Sequence, residues 1–127
     1  MDIRTKRVYD PVGENDGYRV LVDRVWPRGL SRDKARIDEW AKELAPSREL
    51  RQWFGHDPAK WEAFRQRYFA ELARQEGRLQ ELAEMARSVP LTLVFSSRET
   101  RYNNAVALKE YLESGPTEST PDSIPRA

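Results

Sequence analysis

The 127-residue chain contains no cysteine, which removes disulfides, thiolate nucleophiles and cysteine-ligated metals. It has a single histidine, so the common zinc ligand sets cannot be assembled either. Charge of one sign is also missing: 22 Lys plus Arg stand against 21 Asp plus Glu, a net +1. That balance excludes the whole-molecule positive field of a protein that coats nucleic acid, so any anion site must be local. No run of about 18 apolar residues occurs, and the N-terminal MDIRTKRVYD has no apolar core. Neither a membrane span nor a signal peptide is expected, and the default location is cytoplasmic.

What is present is a polar chain with large packing groups. Charged residues make up 34%, yet four Trp, five Tyr and four Phe supply enough apolar bulk for one core. Tyr18–Val22 (YRVLV) and Leu91–Phe95 (LTLVF) read as strands inside a sheet, and Ile3–Tyr9 as a strand nearer an edge. The turn-prone residues between the first two strands, Asp10-Pro11 and Gly13 to Gly17, favour an antiparallel hairpin there, with a bent crossover as the alternative.

The middle of the chain reads as helical. Ser47 caps a short helix that Gly55 stops. Asp57-Pro58 then opens a longer one, along which Trp61, Phe64, Tyr68 and Leu72 recur at helical spacing. Leu79, Leu82, Ala83 and Ala86 mark another stretch after an interruption at Gly77, and Ala105, Leu108 and Leu112 a last one. The expectation is a small single-domain α/β layered fold over residues 1–113, with a short mixed or parallel sheet covered by helices. Residues 114–127, which carry Pro116, Pro121 and Pro125 and no aromatic residue, read as a disordered tail.

Ligands in open α/β sheets collect outside the carboxyl ends of strands, where loops and helix N-termini converge. Two segments qualify: Val22 to Gly29 after the second strand, and Phe95 to Asn104 after the last. Arg24, Arg28 and Arg98 offer planar donor forks suited to phosphate or carboxylate, against the alternative that Asp23 merely pairs with them to fix the loops. Trp26 is either a stacking surface or a loop anchor, anchoring being favoured, and Trp40, Trp53 and Trp61 read as core from their helical neighbours. His56, Asp23 and Glu99 are the candidate proton-transfer groups, although for His56 a hydrogen bond to a helix end is the favoured reading. Ser97, Asn103 and Asn104 are candidate ligand contacts. Ser96 and Ser97 lack the G-x-S-x-G turn of a hydrolase, and neither a Walker nor a G-x-G-x-x-G pattern occurs, so the cofactor is unknown. The acids Asp10, Glu14, Asp16 and Asp23 could bind Mg²⁺ loosely but match no calcium loop, and no metal site is assigned.

The stretches KRVYD, GYRVLVDRVWPRG, DEWAKELAPS, LRQWFGHDP, the tract around Phe64 to Leu72, and LTLVFSSRETRYNNAVALKEYL resemble the YeaO-like branch of a widespread bacterial family of domains of unknown function, over residues 3 to 113. The resemblance implies a compact α/β domain and supplies no settled activity. It marks Asp23, Arg24, Trp26, Pro27, Arg28 and Gly29, then Trp40, Pro46 and Ser47, then Trp53, His56 and Pro58, and finally Asn103, Asn104 and Ala105. Some branches carry cysteines and a histidine around the last strand and following helix. Ser96, Ser97, Asn103 and Asn104 stand here instead, so no thiol or metal mechanism is implied. A methyltransferase label attached to tetrapyrroles in some relatives finds no Gly-rich loop to support it here. Three uses stay open: a small-anion pocket at the strand ends, with or without enzyme activity; a nucleic-acid module, using an excess of three positive charges in residues 1–36; and a protein-interaction or homodimeric subunit.

Overall fold

The computed structural model describes residues 1–114. Its frame is one parallel sheet of four strands, β1 (Ile3–Arg7), β2 (Tyr18–Leu21), β3 (Glu39–Trp40) and β4 (Leu91–Phe95), in the order β1-β4-β2-β3. All five residues of β4 are buried, as a strand with apolar side chains on both faces requires, and it takes the centre. The charged IRTKR lies at one edge, where Lys and Arg suit the solvent side.

The hairpin expected between the first two strands is therefore corrected: β4 lies between β1 and β2, and all three run the same way. The link from Val8 to Gly17 is long enough for this. Returning along a five-residue strand takes roughly 17 Å and crossing two strand spacings about 10 Å, while ten extended residues reach roughly 33 Å. Gly17 completes the return at φ +68°. A Cβ there would sit 2.1 Å from the Pro90 carbonyl oxygen, the atom that accepts the Tyr18 N–H at 2.9 Å. The backbone contact that starts β2 beside β4 thus demands glycine.

The helices are α1 (Arg32–Ala35), α2 (Arg48–Phe54), α3 (Trp61–Leu72), α4 (Glu76–Met85) and α5 (Asn104–Ser114). Ser47 Oγ accepts the Leu50 N–H, and Gly55 ends α2 in the left-handed region. Asp57 accepts from Ala59 N at the head of a short 3-10 turn, Pro58–Lys60, that leads into α3. The break between α3 and α4 falls at Ala73–Gln75, and Gly77 lies within α4. Phe64, Tyr68, Leu72, Leu79, Leu82 and Leu108 pack with Val20, Leu93 and Phe95 into the main core. A smaller cluster of Val8, Leu21, Ala35 and Val94, with Trp26 and Trp40 against it, forms separately.

Trp40 belongs to β3, not to a helix. Trp40, Trp53 and Trp61 are half-buried at the margins of these clusters. No described helix is long and apolar enough to cross a membrane. The tail expected from residue 114 lies outside the described residues, apart from Ser114, which closes α5.

Candidate functional site

Parallel strands bring the ends of β2 and β4 to one edge, and Asp23 ties them together. Its Oδ2 accepts the Ser96 N–H at 2.9 Å and the Ser96 hydroxyl at 2.7 Å. Asn104, the first residue of α5, donates its side-chain amide to Val22 O at 2.7 Å and to Asp23 Oδ1 at 3.2 Å. Trp40 Nε1 donates to the Asp23 carbonyl at 2.8 Å, so β3 holds the same loop. The two segments picked out at the strand ends therefore meet, with Asp23 as the knot.

Beside this knot opens a cleft of about 190 Å³ lined by Asp23, Arg24, Pro46, Arg51, His56, Ser96, Ser97 and Asn104, with Val25 at its rim. Arg24 reaches the Pro46 carbonyl oxygen only at 3.4 Å, the long limit of a hydrogen bond, and pairs with no carboxylate among the described residues. Arg51, on α2, likewise has no carboxylate partner there. Two guanidinium groups thus border a cleft whose one carboxylate is occupied by Ser96 and Asn104.

His56 is held at the cleft by backbone geometry. It follows Gly55 in the left-handed region, at φ 58°, an uncommon conformation for a residue with a Cβ and of order 1–3 kcal/mol in cost. The Asp57 N–H donates to Phe54 O, which closes the turn. The His56 ring is exposed and makes no hydrogen bond among the described residues; it does not cap a helix end.

Glu99 has a different post. Its carboxylate accepts the Arg101 and Tyr102 N–H groups at 2.8 and 3.2 Å, and these hold its pKa below the ordinary range. Asn103 is buried, caps α5 by accepting the Val106 N–H, and donates to Glu99 O. Ser97 accepts the Glu99 N–H. Arg7, from the edge strand, secures this loop by donating to Ser97 O at 2.9 Å.

Arg28 and Arg98 are exposed and do not line the cleft. Trp26 lies away from it too, with its Nε1 bonded to Leu30 O at 2.7 Å and its ring edge-on to Trp40 at 5.3 Å. Arg51 went unmarked in the sequence because it stands on the exposed side of an amphipathic helix. Only the Gly55-His56 turn, which directs the chain back past it, hinted at its place.

A larger open groove, about 720 Å³, runs between the loop before β2 and the segment before β3. Its buried part is spent internally, although Arg32 and Arg36 on its lining pair with no carboxylate among the described residues. Arg19, 2% exposed, donates to Asp16 Oδ2 at 2.6 Å, Ala35 O at 2.8 Å and Arg36 O at 3.1 Å. Lys6 also pairs with Asp16, and Arg4 with Asp2. Three of the basic residues of 1–36 are thereby held by acids of the same segment, which leaves its net excess of three unchanged. Among the described residues no three His, Asp or Glu side chains gather as a metal site would require.

A family model described as the inactive DUF488-N3 subclade matches residues 2–126. The chain belongs to this family. YeaO of Escherichia coli K12, itself uncharacterised, is 46% identical over 114 residues, covering 90% of this chain and 99% of that protein. Uncharacterised proteins Rv3073c of Mycobacterium tuberculosis H37Rv and Mb3100c of Mycobacterium bovis are each 38% identical over 110 residues, or 87% of this chain and 92% of theirs. No solved structure matches. The YeaO-like assignment read from stretches spread over residues 3 to 113 is thus shown for this DUF488-N3 chain, and the parallel α/β sheet is the frame on which its strand-end loops are mounted.

Proposed function

We propose that the strand-end cleft binds a small anionic ligand through a phosphate or carboxylate group. The observation that carries this reading is the pair of guanidinium groups, Arg24 and Arg51, bordering one cleft with no carboxylate neutralising either among the described residues. Guanidinium forks keep their charge and match the geometry of both anions. The first turn of α5, whose Asn104 lines the cleft, adds the partial positive charge of a helix N-terminus. His56, fixed at the rim, is a third donor.

Binding without turnover is the better-supported form of the proposal. Both serine hydroxyls of the cleft are committed to the loops, Ser96 to Asp23 and Ser97 to Glu99 N, and the family is described as inactive. Asp23 orients the cleft floor, and Glu99 stays an ionised loop cap. No observation favours the nucleic-acid reading over this one, because three of the basic residues behind it are already paired with carboxylates.

The test is a titration of the chain with inorganic phosphate at low salt, followed by nuclear magnetic resonance. Arg24→Gln and Arg51→Gln each weaken binding about tenfold, the usual order for one charge-assisted hydrogen bond. Arg28→Gln and Arg98→Gln leave it within about twofold. Equal losses from all four substitutions would point to diffuse surface charge instead.

A further inference from the structure

The anion cleft does not end at Arg51. A second cleft of about 200 Å³ adjoins it, lined by Pro46, Arg51, Gln52, Phe54, His56, Phe64, Asn103 and Asn104. The two share Pro46, Arg51, His56 and Asn104, so they form one continuous trough with a seam at Arg51 and His56. The character of the wall changes across that seam. On one side stand Asp23, Arg24, Ser96 and Ser97; on the other, Phe54 and Phe64 with the amides of Gln52 and Asn103.

The apolar half is rigid and preformed. Phe54 and Phe64 stack with centroids 4.3 Å apart, and Trp61 stacks on Phe64 at 5.6 Å, so the wall is anchored in the main core. The left-handed turn at Gly55-His56 holds the other rim. An apolar cavity of about 150 Å³ is enough to hold benzene, so the second cleft has room for a six-membered ring. Together the halves reach the lower end of small-molecule sites, about 300 Å³.

From this continuity we infer that the ligand is an amphipathic organic anion: one phosphate or carboxylate held by Arg24 and Arg51, joined to an apolar, ring-sized body that lies against Phe54 and Phe64. The inference rests on the anion-binding reading above and adds the second half of the ligand. A free inorganic ion would leave the apolar half exposed to water. An uncharged ring would leave both guanidinium groups without their partner. Asn104, whose Oδ1 accepts no hydrogen bond among the described residues, stands where the two halves of such a ligand would join and offers an acceptor there.

Four probes separate the parts: inorganic phosphate, phenyl phosphate, benzoate and phenol, each titrated into the full chain at neutral pH and low salt, with amide and arginine side-chain resonances followed. Phenyl phosphate or benzoate binds at least fivefold more tightly than both inorganic phosphate and phenol. That ligand shifts the side-chain amide signals of Gln52 and Asn103 as well as Arg24 and Arg51, and Arg51→Gln weakens it. Which of the two binds better tells whether the head is a phosphate or a carboxylate. If inorganic phosphate binds within fivefold of the better aryl anion, with shifts confined to the Arg24 side, the second half of the ligand is refuted and the anion reading stands. If phenol binds within fivefold of it, the anionic head is refuted. If none of the four shifts Arg24 or Arg51, the anion reading fails and this inference falls with it.

Discussion

Replacing Asp23 with alanine tests whether one carboxylate knots the two strand ends. Three donors meet that carboxylate: the Ser96 N–H at 2.9 Å, the Ser96 hydroxyl at 2.7 Å and the Asn104 amide at 3.2 Å. Hydrogen bonds to a charged group contribute about 1.5–3 kcal/mol each when the partner is left dry. The knot forms a wall of an open cleft, so water takes over part of the work, and the loss for all three together is about 2–3 kcal/mol. For a domain of this length 1 kcal/mol moves the melting temperature by about 4 °C, so Asp23→Ala melts roughly 8–12 °C lower. Ser96→Ala removes only the hydroxyl and keeps the backbone bond, at about 1 kcal/mol, or roughly 4 °C. Circular dichroism melts and urea midpoints on the full chain read both variants. An Asp23→Ala protein melting within about 2 °C of the parent, or above Ser96→Ala, would refute the knot.

Other parts of the fold make equally specific demands. Gly17→Ala drives a Cβ into the Pro90 carbonyl and destabilises by about 3 kcal/mol or more, measured by urea unfolding; a neutral result would mean that β2 does not begin where it is placed. Tyr68→Phe leaves the buried Leu44 carbonyl without its hydroxyl donor and costs about 1–3 kcal/mol by the same assay. Burial works to raise the pKa of Asp16, but the Gly13 N–H and the side chains of Lys6 and Arg19 outweigh it and hold the carboxyl below its ordinary value. A carboxyl depressed in the folded state stabilises above its unfolded pKa of about 3.9 and loses that contribution as pH falls through the folded value. The melting temperature should therefore fall below about pH 4, and more shallowly in Asp16→Asn than in the parent; parallel acid limbs would show that Asp16 carries no such linkage.

The parts of this fold that local chemistry dictates were legible in the chain. LTLVF, apolar at four of its five positions and rich in β-branched residues, reads as an interior strand, and it occupies Leu91–Phe95 at the centre of the sheet. Ser47, Gly55 and the Asp57-Pro58 pair bound their helical turns because each satisfies backbone groups within a few residues of itself. Strand order was not legible. The turn residues of the Val8–Gly17 link suit a hairpin locally, and what overrides them is β4, more than seventy residues away, entering between β1 and β2. Two-residue β3 carries no alternation to read, so Trp40 looked helical.

The candidate site divides in the same way. Asp23, Arg24, Ser97 and Asn104 stand at strand and helix ends, where the topology rule points, and all four line the cleft. Arg28 and Arg98 share those loops, but a loop turns its side chains in directions that spacing does not encode. Arg51 lies one helix away, and only the tertiary packing of α2 brings it to the strand ends.

The most direct test of the account is to follow the Arg24 and Arg51 side-chain Nε–H resonances while inorganic phosphate is added at low salt. The account predicts that both shift and saturate together with a single dissociation constant, and that the signals of Arg28 and Arg98 stay in place. Shifts at Arg28 and Arg98 instead, or a folded protein in which neither Arg24 nor Arg51 responds, would contradict it.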